Sequence, residues 1–240
     1  MKNRIGIVGG GQLGRMLTLA AKRLGFTVVI IDPTPQSPAG QVADAQIVAD
    51  FKDEKAIVEL ASKSDYLTFE IELVNSVILE KLSSRGVVIN PSAKTLTIIK
   101  DKLLQKTFLR QSGLPIADFK EIKSKEDILK SAKKFGYPIV IKARFDAYDG
   151  RGNALIKSKQ DIDLGLKKLK DRQLYIEKFV PFTKELAVMV ARNTKGDVMP
   201  YPVVETIHKN NICHMVFAPA PIDEKIKKRA QLLAVKQWSF

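Results

Sequence analysis

The 240-residue chain has one cysteine, two histidines and one tryptophan. A single thiol, Cys213, excludes an internal disulfide framework and points to a reducing compartment, so a cytoplasmic location is expected. Two histidines and one cysteine are too few for a zinc site of the usual composition, and no metal ligand is assigned within the chain. No run approaches the roughly 18–20 apolar residues that a membrane-spanning helix needs, which excludes a membrane-embedded reading. The opening MKNRIGIVGG turns glycine-rich too early for a signal peptide. Aromatic residues make up 7% and are not interleaved with the basic ones, so no stacking platform for nucleic-acid bases is visible. Acidic residues are outnumbered, 26 against 40 Lys and Arg, leaving a formal charge of +14. The lysines lie mostly in helix-like stretches mixed with acids, as in KSKEDILKSAKKFG, and read as solvated helix faces. A basic excess also favours small anions such as nucleotides.

What is there alternates. RIGIVG (4–9) reads as a strand, the spacing of Leu13, Met16, Leu17, Ala20 and Leu24 predicts a helix stopped by Gly25, and TVVIID (27–32) reads as a second strand. QIVADF, DYLTFEI and VVINPS continue the strands, with helices at DEKAIVELASKS, opened by Asp53, and around VNSVILEKLSSRG. Strands and helices alternating at this spacing predict an α/β, doubly wound, Rossmann-like domain over residues 1–98. After Pro91 the pattern changes. Residues 94–112 read as one helix, and DFKEI, GYPIVIKAR, NALIKS, LYIEKFV and ELAVMVAR read as strands with one wetted face. This predicts a second, α+β domain over residues 99–240. A helix beginning near Asp223 runs into the end with no closing glycine or strand, so the second domain is expected to be incomplete.

Gly9-Gly10-Gly11-Gln12-Leu13-Gly14 satisfies G-x-G-x-x-G between a strand and a helix, and Asp32 closes the next strand. The pattern suits a dinucleotide, with glycines against a pyrophosphate and the acid on a ribose; another phosphate ligand or a tight packing turn satisfies it too. Glu70 and Glu72 flank Ile71 at the carboxyl end of the fourth strand. Alternation places both on one sheet face, where they suit an amine or hydroxyl-rich substrate, or simply a solvated edge. Lys142 sits inside an apolar strand, where its ammonium needs an anion such as phosphate. The loop Tyr148-Asp149-Gly150-Arg151-Gly152-Asn153 follows, with donors to fold over phosphates; by itself it is also an ordinary hairpin turn. Glu177-Lys178-Phe179-Val180 reads as an extended linker for an adenine edge, with Glu185 eight residues on for ribose hydroxyls. His208 reads as structural or solvent-exposed, and Cys213 as a small buried residue.

The order GIVGGGQLGRM, LTFEIE, NPS, KDKLLQK, GLPIADF, GYPIVIKAR, AYDGRGN, EKFVPFTKELAVMVAR and YPVVETIHKNN resembles the N5-carboxyaminoimidazole ribonucleotide synthetases, the ATP-grasp ligases of purine biosynthesis. The resemblance runs along essentially the whole chain, and the YDGRGN loop with EKFVPFTKEL is specific to that family. It implies a pre-ATP-grasp domain followed by an ATP-grasp domain, and an ADP-forming carbon–nitrogen ligase. That ligase would carboxylate 5-aminoimidazole ribonucleotide with bicarbonate through carboxyphosphate. The resemblance implies an ATP site of Lys102, Lys142, Ala147, Tyr148, Asp149, Gly150, Arg151, Gly152, Asn153, Glu177, Lys178, Phe179, Val180, Glu185 and His208. The ribonucleotide would meet Gly11, Gln12, Glu70, Glu72, Tyr148 and Arg151, with Arg151 and Tyr148 catalytic. Lys102 stands where many members carry arginine, which keeps the charge and loses the fork. On this reading the first domain carries no NAD. Magnesium would accompany ATP, with its ligands expected beyond residue 240, since the family continues for a further segment. The complete protein would be a homodimer, without nucleic acid or membrane partners. The other readings open to the residues are a nucleotide-binding fragment without turnover, another ATP-grasp ligase, and an NAD-dependent protein.

Overall fold

A computed structural model describes residues 3–147, 152–209 and 212–237, and it divides into two units, Met1–Lys100 and Asp101–Phe240. In the first unit, β1 (Arg4–Val8), β2 (Thr27–Asp32), β3 (Ala45–Val48), β4 (Tyr66–Phe69) and β5 (Val88–Ile89) alternate with α1 (Gln12–Arg23), α2 (Glu54–Ser62), α3 (Ser76–Ser84) and α4 (Ala93–Lys100). All strand pairs are parallel and the order is β3-β2-β1-β4-β5, so the chain reverses direction across the sheet at β1. Parallel pairing requires a crossover after each strand, and here the helices supply it. The crevice between β1 and β4 is the switch point at which such sheets hold ligands. The central strands β1 and β2 are largely apolar because both faces are covered: Ile7, Val8, Val28, Ile30 and Ile31 are essentially inaccessible.

The helix start signals are the residues that cap. Asp53 accepts the Ala56 amide at the head of α2, and Asn75 accepts those of Val77 and Ile78 at the head of α3. The burial of α1 differs from what its apolar spacing suggests. Leu13, Met16, Leu17 and Leu24 are 58%, 59%, 42% and 77% exposed, while Gly14, Thr18 and Ala21 face the sheet. The cause is close approach. A Cβ on Gly14 would lie 2.5 Å from the Gly9 carbonyl oxygen, so only the small-residue face of α1 fits against the turn.

The second unit opens with α5 (Lys102–Gln111), and the expected single helix over 94–112 is broken at Asp101. The Asp101 carboxylate accepts the Leu103 and Leu104 amides, an N-cap that starts a new helix and ends continuity with α4. Next come β6 (Phe119–Ile122), α6 (Lys125–Phe135), β7 (Ile139–Ala143), β8 (Asn153–Ile156), a 3-10 turn (Lys159–Asp161), α7 (Ile162–Lys168) and β9 (Leu174–Lys178). These strands form an antiparallel sheet in the order β6-β9-β7-β8. One face packs Ile122, Ile139, Ile141, Ile156 and Ile176 against Ile128 and Ala132 of α6 and Ile162 of α7.

The expected single strand over 185–192 divides into β10 (Glu185–Ala187) and β11 (Val190–Arg192), which join different sheets. The other strands of this region are β12 (Val198–Pro200), β13 (Val204–Lys209) and β14 (Ile212–Phe217), and the described chain closes with α8 (Glu224–Gln237). β11 pairs with β12 about a turn in which Asn193 accepts the Lys195 and Asp197 amides and Gly196 takes φ +93°. β10 pairs instead with β13, in the order β10-β13-β14. Cys213, expected to be buried, is exposed on the edge strand β14, all of whose residues are exposed. Among the described residues no helix is long and apolar enough to cross a membrane.

Candidate functional site

In the first unit the glycine turn closes on its own acids. Gly9 takes φ +111°, which turns the chain out of β1, and a Cβ there would meet Glu70 Cγ at 2.6 Å. The Gly10 amide donates to Asp32 Oδ2 at 2.9 Å, and Thr34 N donates to Asp32 Oδ1 at 2.8 Å. Both oxygens of that buried carboxylate are therefore engaged by backbone. The Gly11 amide donates to Glu70 Oε1 at 3.0 Å. Carboxylates thus occupy the two amides that a dinucleotide pyrophosphate needs, and the acid expected for its ribose is consumed.

β4 ends at Phe69, so Glu70 and Glu72 lie beyond the strand, and alternation does not place them on one sheet face. The Glu70 amide still donates to the Val8 carbonyl at 3.1 Å, the last bond to β1 before the Gly9 turn takes that strand away. What places Glu70 is its contact with Gly11. Gln12 is the first residue of α1, directly after that contact.

In the second unit, Lys142 stands on the β7 face opposite the apolar core, paired in register with Tyr175 of β9 and Asn153 of β8. Its Nζ is 3.0 Å from Glu177 Oε2. The anion that meets Lys142 is thus a carboxylate. Glu177 is correspondingly a strand residue whose side chain is 8% exposed, rather than part of an extended linker. Its second oxygen meets Lys106 Nζ of α5 at 2.7 Å, a charge contact without hydrogen-bond alignment. Burial pushes the Glu177 carboxyl up, but Lys142 and Lys106 outweigh it and hold it below the usual carboxylate range. Burial, with Glu177 alongside, pushes the Tyr175 hydroxyl above the usual phenol range.

Lys106 was not singled out by motif reading. The available signal was its place one helical turn after Lys102, on the same face of α5. Asp101 and Arg144 were also missed. The Arg144 guanidinium forks the Asp101 carboxylate and donates to Glu121 Oε1 at 2.7 Å, while the Arg144 carbonyl accepts the Lys102 amide at 2.8 Å. These contacts join the start of α5, which carries Lys102, to the end of β7, which carries Lys142.

Ala147 and Gly152 lie between β7 and β8, and Asn153 opens β8; a Cβ on Gly152 would meet Ala147 Cβ at 2.4 Å. Tyr148, Asp149, Gly150 and Arg151 lie outside the described residues. Lys178 ends β9, its amide donating to the Asp118 carbonyl at 2.8 Å, and Phe179 and Val180 follow, with Val180 50% exposed. Glu185 and His208 come together: Glu185 Oε2 is 3.3 Å from His208 Nδ1 across the β10–β13 pair, beside a bulge between Ile207 and His208. Among the described residues no group of three or more His, Cys, Asp or Glu side chains is placed to hold a metal ion.

The ATP-grasp domain profile matches residues 107–238. The chain belongs to the ATP-grasp family. The ribonucleotide synthetase preATP-grasp profile matches residues 1–100, ahead of the ATP-grasp match. Among relatives of this ATP-grasp chain, the phosphoribosylaminoimidazole carboxylase of Ogataea methanolica is 49% identical over 234 residues, covering 96% of the chain and 43% of the relative. The N5-carboxyaminoimidazole ribonucleotide synthase of Bacillus subtilis is 34% identical over 232 residues, covering 97% of the chain and 61% of the relative. The crystal structure of N5-carboxyaminoimidazole synthase from Aspergillus clavatus, in complex with ADP and 5-aminoimidazole ribonucleotide, superposes with a TM-score of 0.91. It is 39% identical, covering 98% of this chain and 62% of that one. The ATP-grasp chain therefore spans about two fifths to three fifths of the length of these relatives.

Proposed function

We propose that this ATP-grasp chain carries the nucleotide- and ribonucleotide-binding surfaces of an N5-carboxyaminoimidazole ribonucleotide synthase of purine biosynthesis. The observation that carries the reading is Lys142, a strand-borne cation on the polar face of β7. It stands beside the glycine hairpin and is held against Glu177, one residue before Lys178-Phe179-Val180. In the reaction, a bicarbonate oxygen attacks the γ-phosphorus of ATP, ADP departs, and carboxyphosphate forms. The amine nitrogen of 5-aminoimidazole ribonucleotide then bonds to the carboxyl carbon, its proton is lost and inorganic phosphate leaves. Phosphoryl transfer of this kind needs positioning and charge neutralisation more than covalent help.

In this reading Lys102 and Lys142 neutralise the phosphates, residues 147–153 supply further phosphate donors, and Arg151 and Tyr148 are the catalytic residues. The backbone of residues 177–180 reads the adenine edge. Glu185, steadied by His208, accepts the ribose hydroxyls. In the first unit Gly11, Gln12, Glu70 and Glu72 receive the aminoimidazole ribonucleotide. Magnesium accompanying ATP would supply neutralisation of phosphate charge; none of these residues is assigned to hold it. By the same resemblance the protein resides in the cytoplasm and is a homodimer; light scattering after size exclusion tests the oligomeric state.

Calorimetric titration tests the binding reading. ADP and 5-aminoimidazole ribonucleotide each bind saturably and NAD does not. Binding of NAD with no response to ADP overturns the proposal.

A further inference from the structure

Lys106 has no part in the nucleotide site as assigned above, yet it shares a buried carboxylate with a residue that does. Glu177 lies between two ammonium groups, Lys106 at 2.7 Å from Oε1 and Lys142 at 3.0 Å from Oε2, with side-chain exposures of 25% for Lys106 and 29% for Lys142. A lysine that serves a polyphosphate has to loosen its hold on Glu177. Were it the sole partner, its departure would leave a buried carboxylate uncompensated, which opposes the departure. Two lysines on one carboxylate remove that obstacle, because one can leave while the other stays.

We propose that Lys106 is a positioning residue for the nucleotide. It remains on Glu177 as the standing counter-charge and so releases Lys142 to the phosphates. Lys106 is fit for the stationary role because α5 is anchored independently. Its cap, Asp101, is forked by Arg144 at the end of β7, which fixes the helix against the strand that carries Lys142. Lys142 can take the moving role with its side chain alone, since it projects from the polar face of β7 while its backbone stays paired to β8 and β9.

The inference rests on the nucleotide reading, and one experiment separates the two. The whole chain and its variants are titrated calorimetrically with ADP and with adenosine, which carries base and ribose but no phosphate. Lys106→Met is expected to weaken ADP by at least about tenfold, roughly 1.4 kcal/mol, and to leave adenosine within about twofold. Lys106→Arg keeps the counter-charge and retains ADP affinity. Lys106→Met combined with Glu177→Gln recovers most of the loss, because no carboxylate remains to hold Lys142. A purely structural Lys106 would weaken ADP and adenosine together and show no recovery in the double variant; that result overturns the proposal. If Lys106→Met does not fold, the comparison of Lys106→Arg with the double variant decides: loss of ADP affinity in both overturns it. Wild-type affinity for ADP in Lys106→Met overturns this inference alone, whereas a parent chain that binds no ADP overturns the nucleotide reading and this inference with it.

Discussion

One carboxylate, Asp101, both caps α5 through the Leu103 and Leu104 amides and takes the fork of Arg144 at the end of β7. An N-cap is worth about 1 kcal/mol, and stripping one member from a buried ion pair costs about 3–5 kcal/mol. Asp101→Ala removes the cap and one of the two carboxylates on Arg144, which keeps Glu121, and is expected to destabilise the second unit by about 1–3 kcal/mol. Asp101→Asn, which keeps an acceptor for the cap, should lose less. Urea denaturation followed by circular dichroism checks the order.

The acid response of the second unit follows from the same pair. Burial pushes the Asp101 carboxyl up, but Arg144 and the cap amides hold it below the usual carboxylate range, and Glu177 is lowered likewise by its two lysines. A depressed folded value means that the stabilisation is complete above the unfolded value of about 4 and is lost as pH falls through the folded value. Stability is expected to be level from neutral pH down to about 5 and to fall below about 4. Arg144→Met should be less stable near neutrality and show a shallower acid decline. Denaturation midpoints across that range test the sign.

Gly14 and Gly25 make opposite demands. Gly14→Ala puts a methyl 2.5 Å from the Gly9 carbonyl oxygen, and backbone on both sides cannot yield cheaply. A cost of about 2–3 kcal/mol is expected, of overpacking size and despite the better helix propensity of alanine. Gly25, at φ +82° with open space around it, should cost only about 1 kcal/mol when changed to Ala, through its backbone conformation alone. Equal effects would contradict the close-approach account of α1.

At the proposed nucleotide site, Glu185 is half-exposed and touches His208, so Glu185→Gln should leave the unfolding midpoint in place. Its expected effect is on the ribose, with ADP affinity falling by about tenfold. Lys142→Met should lower ADP affinity at least as far and leave Glu177 paired to Lys106. Titration of ADP against both variants checks this, and unchanged affinity in both removes these residues from the site.

Asp32→Asn replaces a buried acceptor of two amides with a group that accepts at one atom and donates at the other. Leaving one amide unmatched is expected to cost about 1–3 kcal/mol. No response to NAD should appear in either form, measured as a thermal shift.

The sequence by itself determined the contacts that close within a turn or two. The strand and helix order of the first unit, the caps at Asp53 and Asn75, and the Gly-rich turn between β1 and α1 are all written in neighbouring residues, because period and capping are local geometry. The requirement that Lys142 meet an anion was equally legible, since an ammonium in an apolar strand has no local remedy. Tertiary structure decided which anion. Glu177 comes to Lys142 only when β9 pairs with β7, and Lys106 only when α5 lies over that sheet. The same holds for Asp32 and Glu70, whose carboxylates meet the glycine turn because parallel pairing brings strand ends together. It holds again for α1, where a leucine stripe faces outward because Gly14 must touch Gly9. Local spacing sets what a segment forms; strands distant in the chain set what each charge and each helix face will meet, because pairing and close approach depend on backbone positions that no single segment specifies.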